Sequence, residues 1–302
     1  MHRIAELLHL AWRQENAVYR IGEIFSSAFS GGFSARRFFA GLLAIIEMFG
    51  CVLLDYPLTP SGQELNLDGY SLVFEDEFNG DALNEDVWFH RSPGRRRNGC
   101  NAPSQVKVEN GNLIITAEYL EDGEFGDGWY AGMISLRQKY CRGYFEIKCK
   151  CNDGGDFWSA FWIQANDPYN HDVSKGGPGG AEIDIFEAFY NNNSRSPLYN
   201  SVAQTIHCNG FDDDTEHIDS RMLGRFKGKN IYTEYNTYGL EWTEDEYIFY
   251  INGIETARSS FGNGVSEEEE SVIVSLEIPE EVTLPKDFSS QFVVDYVRIY
   301  QK

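Results

Sequence analysis

The chain has 302 residues, 42% of them hydrophobic, and a formal net charge of −22. That length suffices to bury one large core, and the acidic balance excludes nucleic acid and anionic membrane surfaces as partners. It also favours neutral polymers over sulfated ones, although Arg95-Arg96-Arg97 is a local exception. Twenty-nine glycines and 15% aromatic residues suit many strands joined by tight turns, and no internal repeat is visible.

Residues 1–62 stand apart. Ile4, Leu7, Leu8 and Ala11, then Ile21, Ile24 and Phe25, recur at helical spacing. Phe38 to Leu54 is apolar apart from Glu47 and follows Arg36-Arg37. A run this short with an internal Glu is marginal for crossing a bilayer, and no small-residue cleavage site follows it. A packed helical extension, a membrane anchor through residues 38–54 and an atypical secretion signal all remain open.

Further on, Cys149 and Cys151 alternate with Lys148 and Lys150, which places both thiols on the Phe145 and Ile147 face as small buried hydrophobes. The six cysteines fit neither a metal spacing nor a tidy disulfide set. In Phe157-Trp158-Ser159-Ala160-Phe161-Trp162-Ile163, the residues Trp158, Ala160 and Trp162 share a face. Two indoles flanking a small residue make either a core strand or a platform for the apolar faces of sugar rings.

The segment Ala181-Glu182-Ile183-Asp184-Ile185-Phe186-Glu187-Ala188-Phe189 sets three carboxylates in an apolar strand. Ionised groups there need partners, a metal or a task. Alternation puts Glu182 and Asp184 on one face, and one extra residue at Ile185 or Phe186 would return Glu187 to that face as a β-bulge. The two Glu backbones then stand about 13 Å apart at roughly 3.3 Å per step. Side chains leaning together would approach the roughly 5 to 5.5 Å between the two carboxyl groups of a retaining glycosidase. On this reading Glu182 is a nucleophile, Glu187 a general acid/base, and Asp184 a neighbour that orients the nucleophile and helps keep one proton in the group. A solvated acidic strand and a carboxylate metal site are the alternatives.

Beyond that strand, His207 and Cys208 are adjacent and so point to opposite faces, which argues against a catalytic thiol pair. Asn252-Gly253 after Tyr247 to Ile251 is a hairpin signal. The run Glu267 to Glu270 is expected to be a solvated loop. Near the end, alternation in Val293-Val294-Asp295-Tyr296-Val297-Arg298-Ile299 places Asp295 on the apolar face, where it needs an ion partner or a metal.

Glu-Ile-Asp-Ile-Phe-Glu preceded by Phe-Trp-Ser-Ala-Phe-Trp resembles glycoside hydrolase family 16 in its bulged, laminarinase-like branch. Leu72 to Gly80, Glu109 to Leu113, Gly143 to Glu146, Tyr238 to Thr243 and Val294 to Tyr300 resemble further family segments in family order. The resemblance implies an all-β fold, a concanavalin-like jelly-roll sandwich of two antiparallel sheets over residues 63–302, with residues 1–62 as helical extension or membrane anchor. It implies a retaining endo-hydrolase of β-linked glucan, endo-1,3(4)-β-glucanase first, with a β-glucan transglycosylase or β-galactan hydrolase as alternatives. By the same resemblance Glu182, Asp184 and Glu187 carry catalysis, and Trp158, Trp162, Asn101 and His207 bind substrate. A structural calcium would take Asp295 with backbone oxygens near Glu77 and Gly111. No cofactor is required for the chemistry, and the partner is a polysaccharide or oligosaccharide. A monomer is expected, and such a substrate favours an extracellular or cell-surface setting. The sequence departs from the pattern at Asn101-Ala102-Pro103-Ser104-Gln105, where an acidic residue is missing. A non-catalytic β-glucan lectin on the same sandwich is the reading from another class; such a protein would keep the indoles and lose the carboxylates.

Overall fold

Alternation along the strands sorts the side chains into two sheets packed face to face. In β9 (Gly143–Lys150) Phe145, Ile147 and Cys149 are buried while Glu146, Lys148 and Lys150 are not. In β6 (Asn112–Leu120) Leu113, Ile115 and Ala117 are fully buried. The computed structural model describes residues 56–165, 177–189, 191, 193–208 and 219–302. The proposed anchor at 38–54 and most of the proposed helical extension lie outside the described residues.

The larger sheet runs β16 (Ile254–Ser259), β15 (Tyr247–Ile251), β14 (Asn236–Trp242), β9, β18 (Ser289–Gln301), β6, β7 (Gly128–Ala131), β4 (Gly99–Asn101), β3 (Gly94–Arg96). Off this path, β1 (Ser71–Asp76) pairs with β18 and β5 (Val106–Glu109) with β6. The smaller sheet runs β13 (Asp219–Lys227), β12 (Ser201–Cys208), β11 (Ala181–Ala188), β10 (Trp158–Ala165), β17 (Glu270–Glu277), β8 (Met133–Leu136), β2 (Trp88–His90). All pairings are antiparallel except β4 with β7. Among the described residues the helical turns are Pro103–Gln105 and Gly177–Gly179. Leu58 and Gly62, assigned by sequence to the extension, are bonded to the sandwich: Leu58 donates to the Arg225 carbonyl and Gly62 to that of Glu255.

Several local expectations hold. Cys149 and Cys151 are buried in the core, and all five described cysteines are free thiols. Asn252 and Gly253, both at positive φ (51° and 75°), join β15 to β16 in a two-residue turn.

The bulge in β11 is an observed shift of register. Phe161 of β10 pairs with Phe186 and the next residue, Trp162, pairs with Asp184, so Ile185 is the extra residue. On the other side Asp184 pairs with Thr205 and Glu187 with Ala203. Ile183, Ile185 and Phe186 are all fully buried in the core, and the Phe186 ring lies 4.1 Å from that of Tyr238 in the facing sheet. Glu187 is thereby returned to the face of Glu182 and Asp184.

A second bulge corrects an expectation. Val294 pairs with Cys149 and Tyr296 with Lys148, so Asp295 is the extra residue and the strand changes face there. Asp295 leaves the apolar face and its carboxylate, 30% exposed, pairs with Lys148 Nζ at 2.7 Å. Glu77 is taken by Arg298, with Nη2 at 2.6 Å. Gly111, at φ 71°, turns β5 into β6 with Asn79 Oδ1 as its neighbour. A calcium ion taking Asp295 with backbone oxygens near Glu77 and Gly111 would have to displace Lys148 from the Asp295 carboxylate.

Candidate active site

Four strands of the smaller sheet, β12, β11, β10 and β17, set their outward side chains in a grid. Register places Glu182 between His207 and Gln164, Asp184 between Thr205 and Trp162, and Glu187 between Ala203 and Ala160. On the far side of β10, Ser271, Ile273, Ser275 and Glu277 stand opposite Gln164, Trp162, Ala160 and Trp158. The three carboxylates, both indoles, Glu277, Arg96 and Arg97 line one hollow.

Each acid in this hollow meets its charge differently. Glu182 accepts a hydrogen bond from Gln164 Nε2, and Gln164 Oε1 accepts one from Arg91 Nη2. Asp184, only 4% exposed, lies 3.1 Å from His207 Nε2, whose Nδ1 is 2.6 Å from the Ser220 hydroxyl. Glu277, also buried, accepts from Arg96 Nε at 3.0 Å and Arg97 Nη1 at 2.5 Å. Glu187 keeps an opening to the hollow, and its surroundings favour the protonated form. Burial first, then the charges of Asp184, Glu182 and Glu277, hold its pKa well above the ordinary carboxylate range, with Arg97 pulling the other way. Burial lowers the His207 pKa, but the bond to Asp184 and the charges of Asp184 and Glu182 outweigh it, leaving the imidazole above its ordinary value.

The indoles face the hollow rather than the main core. Trp162, Ala160, Met133 and Ile273 form a small cluster with Trp158 against it, and Trp162 Nε1 donates to the Ser275 hydroxyl at 3.1 Å. Both ring faces carry a guanidinium: Arg97 lies 4.7 Å from the Trp158 centroid and Arg91 5.5 Å from that of Trp162.

The structure therefore brings together Glu182, Asp184, Glu187, Trp158, Trp162 and His207. Asn101 ends β4 in the other sheet, on the hairpin that carries Arg96 and Arg97 to the hollow; its side chain is buried and Nδ2 has no hydrogen-bond partner. Sequence reasoning missed Gln164, Ser275, Glu277 and Arg91. Glu277 had a legible signal, a carboxylate ending the apolar run Val272 to Leu276, the same oddity that marks Glu182. Glu182, Asp184 and His207 offer ligand atoms within 4.8 Å of one another and so could bracket a cation. Those atoms are already engaged with one another and with Gln164. The pair that stands out is one carboxyl whose surroundings favour its proton and one held by an amide on the same face, an arrangement suited to giving a proton to one atom while attacking another.

The family model described as the GH16 domain of β-porphyranases A–D matches residues 72–302. The chain belongs to glycoside hydrolase family 16. It is 26% identical over 202 residues, 64% of its length, to the endo-1,3-1,4-β-glycanase ExsH of Rhizobium meliloti (strain 1021), covering 39% of that protein. It is 23% identical over 191 residues, 61% of its length, to the keratan-sulfate endo-1,4-β-galactosidase of Sphingobacterium multivorum, covering 42% of it. The chain thus spans about two fifths of either curated relative. Among solved structures it resembles SCLam, a non-specific endo-β-1,3(4)-glucanase of family 16, with a TM-score of 0.64 at 22% identity over 82% of this chain and 98% of that one. A likeness at that identity shows the fold: an all-β sandwich of family 16 type.

Two measurements check this description. A carboxyl whose pKa is raised by folding binds its proton more tightly folded than unfolded, so its contribution to stability falls as pH climbs above the unfolded value of about 4.3. Melting temperature should therefore drop more between pH 5 and pH 8 in the native chain than in Glu187→Gln. The second concerns the platform. Trp158→Ala should cost well under the roughly 3 to 5 kcal/mol of a core tryptophan while weakening oligosaccharide binding, whereas Trp162→Ala should lower both stability and binding. Melts read beside binding isotherms separate the two.

Proposed function

We propose that the chain is a retaining endo-glycosidase of β-linked glucan, with 1,3- or mixed 1,3(4)-linkages as first choice. The observation that carries this reading is the β11 bulge, which sets Glu182, Asp184 and Glu187 on one face with Glu187 protonated and Glu182 held by Gln164. The raised pKa of Glu187 suits it to protonate the glycosidic oxygen. Glu182 attacks the anomeric carbon to give a glycosyl-enzyme, Asp184 with His207 orients it, and Glu187, now deprotonated, activates the water that releases the product. A lectin reading leaves three clustered acids with a perturbed proton unexplained. The glucan preference is supported by the printed activities of ExsH and SCLam. A transglycosylase would follow the same covalent path with a sugar as acceptor. No cofactor enters. The working assembly is a monomer, and attachment through residues 38–54 belongs to a segment outside the described residues.

A specific observation favours a second reading, an anionic galactan. Arg96, Arg97 and Arg91 crowd the hollow of a chain that is otherwise strongly acidic, and keratan sulfate is in the printed name of one relative. A panel of neutral β-glucans, neutral galactan and sulfated galactan, assayed for new reducing ends, separates the two. Arg97→Ala should abolish action on a sulfated polymer and spare action on a neutral one.

Glu187→Gln should lower kcat by about 10²- to 10⁴-fold, least on substrates with good leaving groups, and Glu182→Gln should prevent the covalent intermediate from forming. Proton NMR of fresh product should show the β-anomer first; initial α-anomer from a β-glucan would falsify the retaining assignment.

A structural calcium held by Asp295 with backbone oxygens near Glu77 and Gly111 is a separate proposal, in which the ion takes the place of Lys148 at the Asp295 carboxylate. Adding calcium should raise the melting temperature and Asp295→Ala should abolish that rise, whereas an unchanged melting temperature in calcium and in chelator would refute the site.

A further inference from the structure

The acidic run at 267–270 divides at its end. Glu267, Glu268 and Glu269 are exposed, as a solvated loop requires, but Glu270 is 0% exposed. The expectation for Glu270 is corrected: it opens β17, and alternation with the core residues Val272, Val274 and Leu276 turns it into the sandwich. A carboxyl in that position has to be neutral or matched.

Its surroundings are specific. The Glu270 backbone exchanges hydrogen bonds with Tyr140 at 2.9 and 3.0 Å and stands opposite Ala165 at the end of β10. Its Oε1 accepts the backbone N–H of Ala181 at 2.8 Å, the residue immediately before Glu182. Its Oε2 is buried with no hydrogen-bond partner. The titratable groups that act on it or feel it are Glu182 of β11, Tyr247 of β15, Cys141 ahead of β9 and Glu268 of its own run. Burial is the main cause lifting its pKa to about 8; the Ser266 hydroxyl and Ala181 N–H pull down, and Glu268 and Glu182 add to the rise. At neutral pH it is mainly an uncharged acid. Ala181 needs such an anchor, because the chain enters β11 through the turn Gly177–Gly179 and Gly180 at φ 126°, a conformation open mainly to glycine.

We propose that Glu270 is a positioning residue for Glu182, holding from inside the sandwich the peptide that leads into β11 and so fixing the aim of the carboxylate on the opposite face. The inference rests on Glu182 as nucleophile. Glu270→Gln keeps the carbonyl acceptor, Glu270→Ala removes it, and Glu270→Asp withdraws it by one methylene should the Ala variant fail to fold. The Ala or Asp variant should lower kcat about tenfold with KM within about twofold, Gln should restore most of the loss, and hydrogen exchange at the Ala181 amide should accelerate in Ala or Asp but not in Gln. Native turnover in the Ala or Asp variant, equal losses in Gln and Ala, or unchanged exchange at Ala181 would each overturn it. If the native chain cleaves neither glucan nor galactan, the proposed function fails, and exchange at Ala181 alone then decides whether Glu270 is the anchor.

Discussion

The site depends on the seating of two consecutive apolar side chains, Ile185 and Phe186, in the same core. A regular strand would send one of them outward. Burying a side chain of that size is worth roughly 1.5 to 3 kcal/mol, whereas the ladder hydrogen bond disturbed by a bulge is worth about 1 kcal/mol net. The bulge therefore wins, and Phe186 is fixed further by its contact with Tyr238. Hydrophobic packing on the inner face thus sets the spacing of charged groups on the outer face. A substitution in the core that let Phe186 slip by one position would move Glu187 off the grid without touching any residue of the hollow.

Once the acids share a face, their crowding has to be relieved. Three are relieved from outside: Gln164 and Arg91 at Glu182, His207 at Asp184, Arg96 and Arg97 at Glu277. Relief at those three leaves their negative charge close to Glu187, and with burial this holds the Glu187 proton. The difference in state between two chemically identical glutamates comes from burial and from their neighbours across the sheet, and environments that differ in this way are what can divide an acid from a nucleophile.

What the sequence disclosed follows from the range of each interaction. Alternation and turn chemistry are local, so the face shared by Glu182 and Asp184, the Asn252-Gly253 turn and the buried Cys149 and Cys151 were legible. The β11 bulge was legible because three acids in an apolar strand make strict alternation costly there. The bulge at Asp295 was not, since one carboxylate reads equally well as buried or displaced, and only the pairing with Lys148 decides. Gln164 and Arg91 were hidden for another reason: they matter through cross-strand register between segments far apart in sequence. Glu270 was misread because a run of four acids looks uniform, whereas the strand begins at its last residue.

The guanidinium groups over both indoles have a consequence for how the hollow fills. A pyranose stacking on the ring face that Arg97 covers at Trp158, or Arg91 at Trp162, would have to displace that guanidinium, so loading there would be an exchange rather than a simple addition. Arg97 is tied to Glu277, whose side chain is only 5% exposed, so added electrolyte screens that pair little. A sulfated oligosaccharide, competing as an anion for the same guanidinium, should bind more weakly as ionic strength rises, whereas an uncharged one should show little dependence on salt. Isotherms at low and high salt would read that difference between charged and uncharged ligands directly.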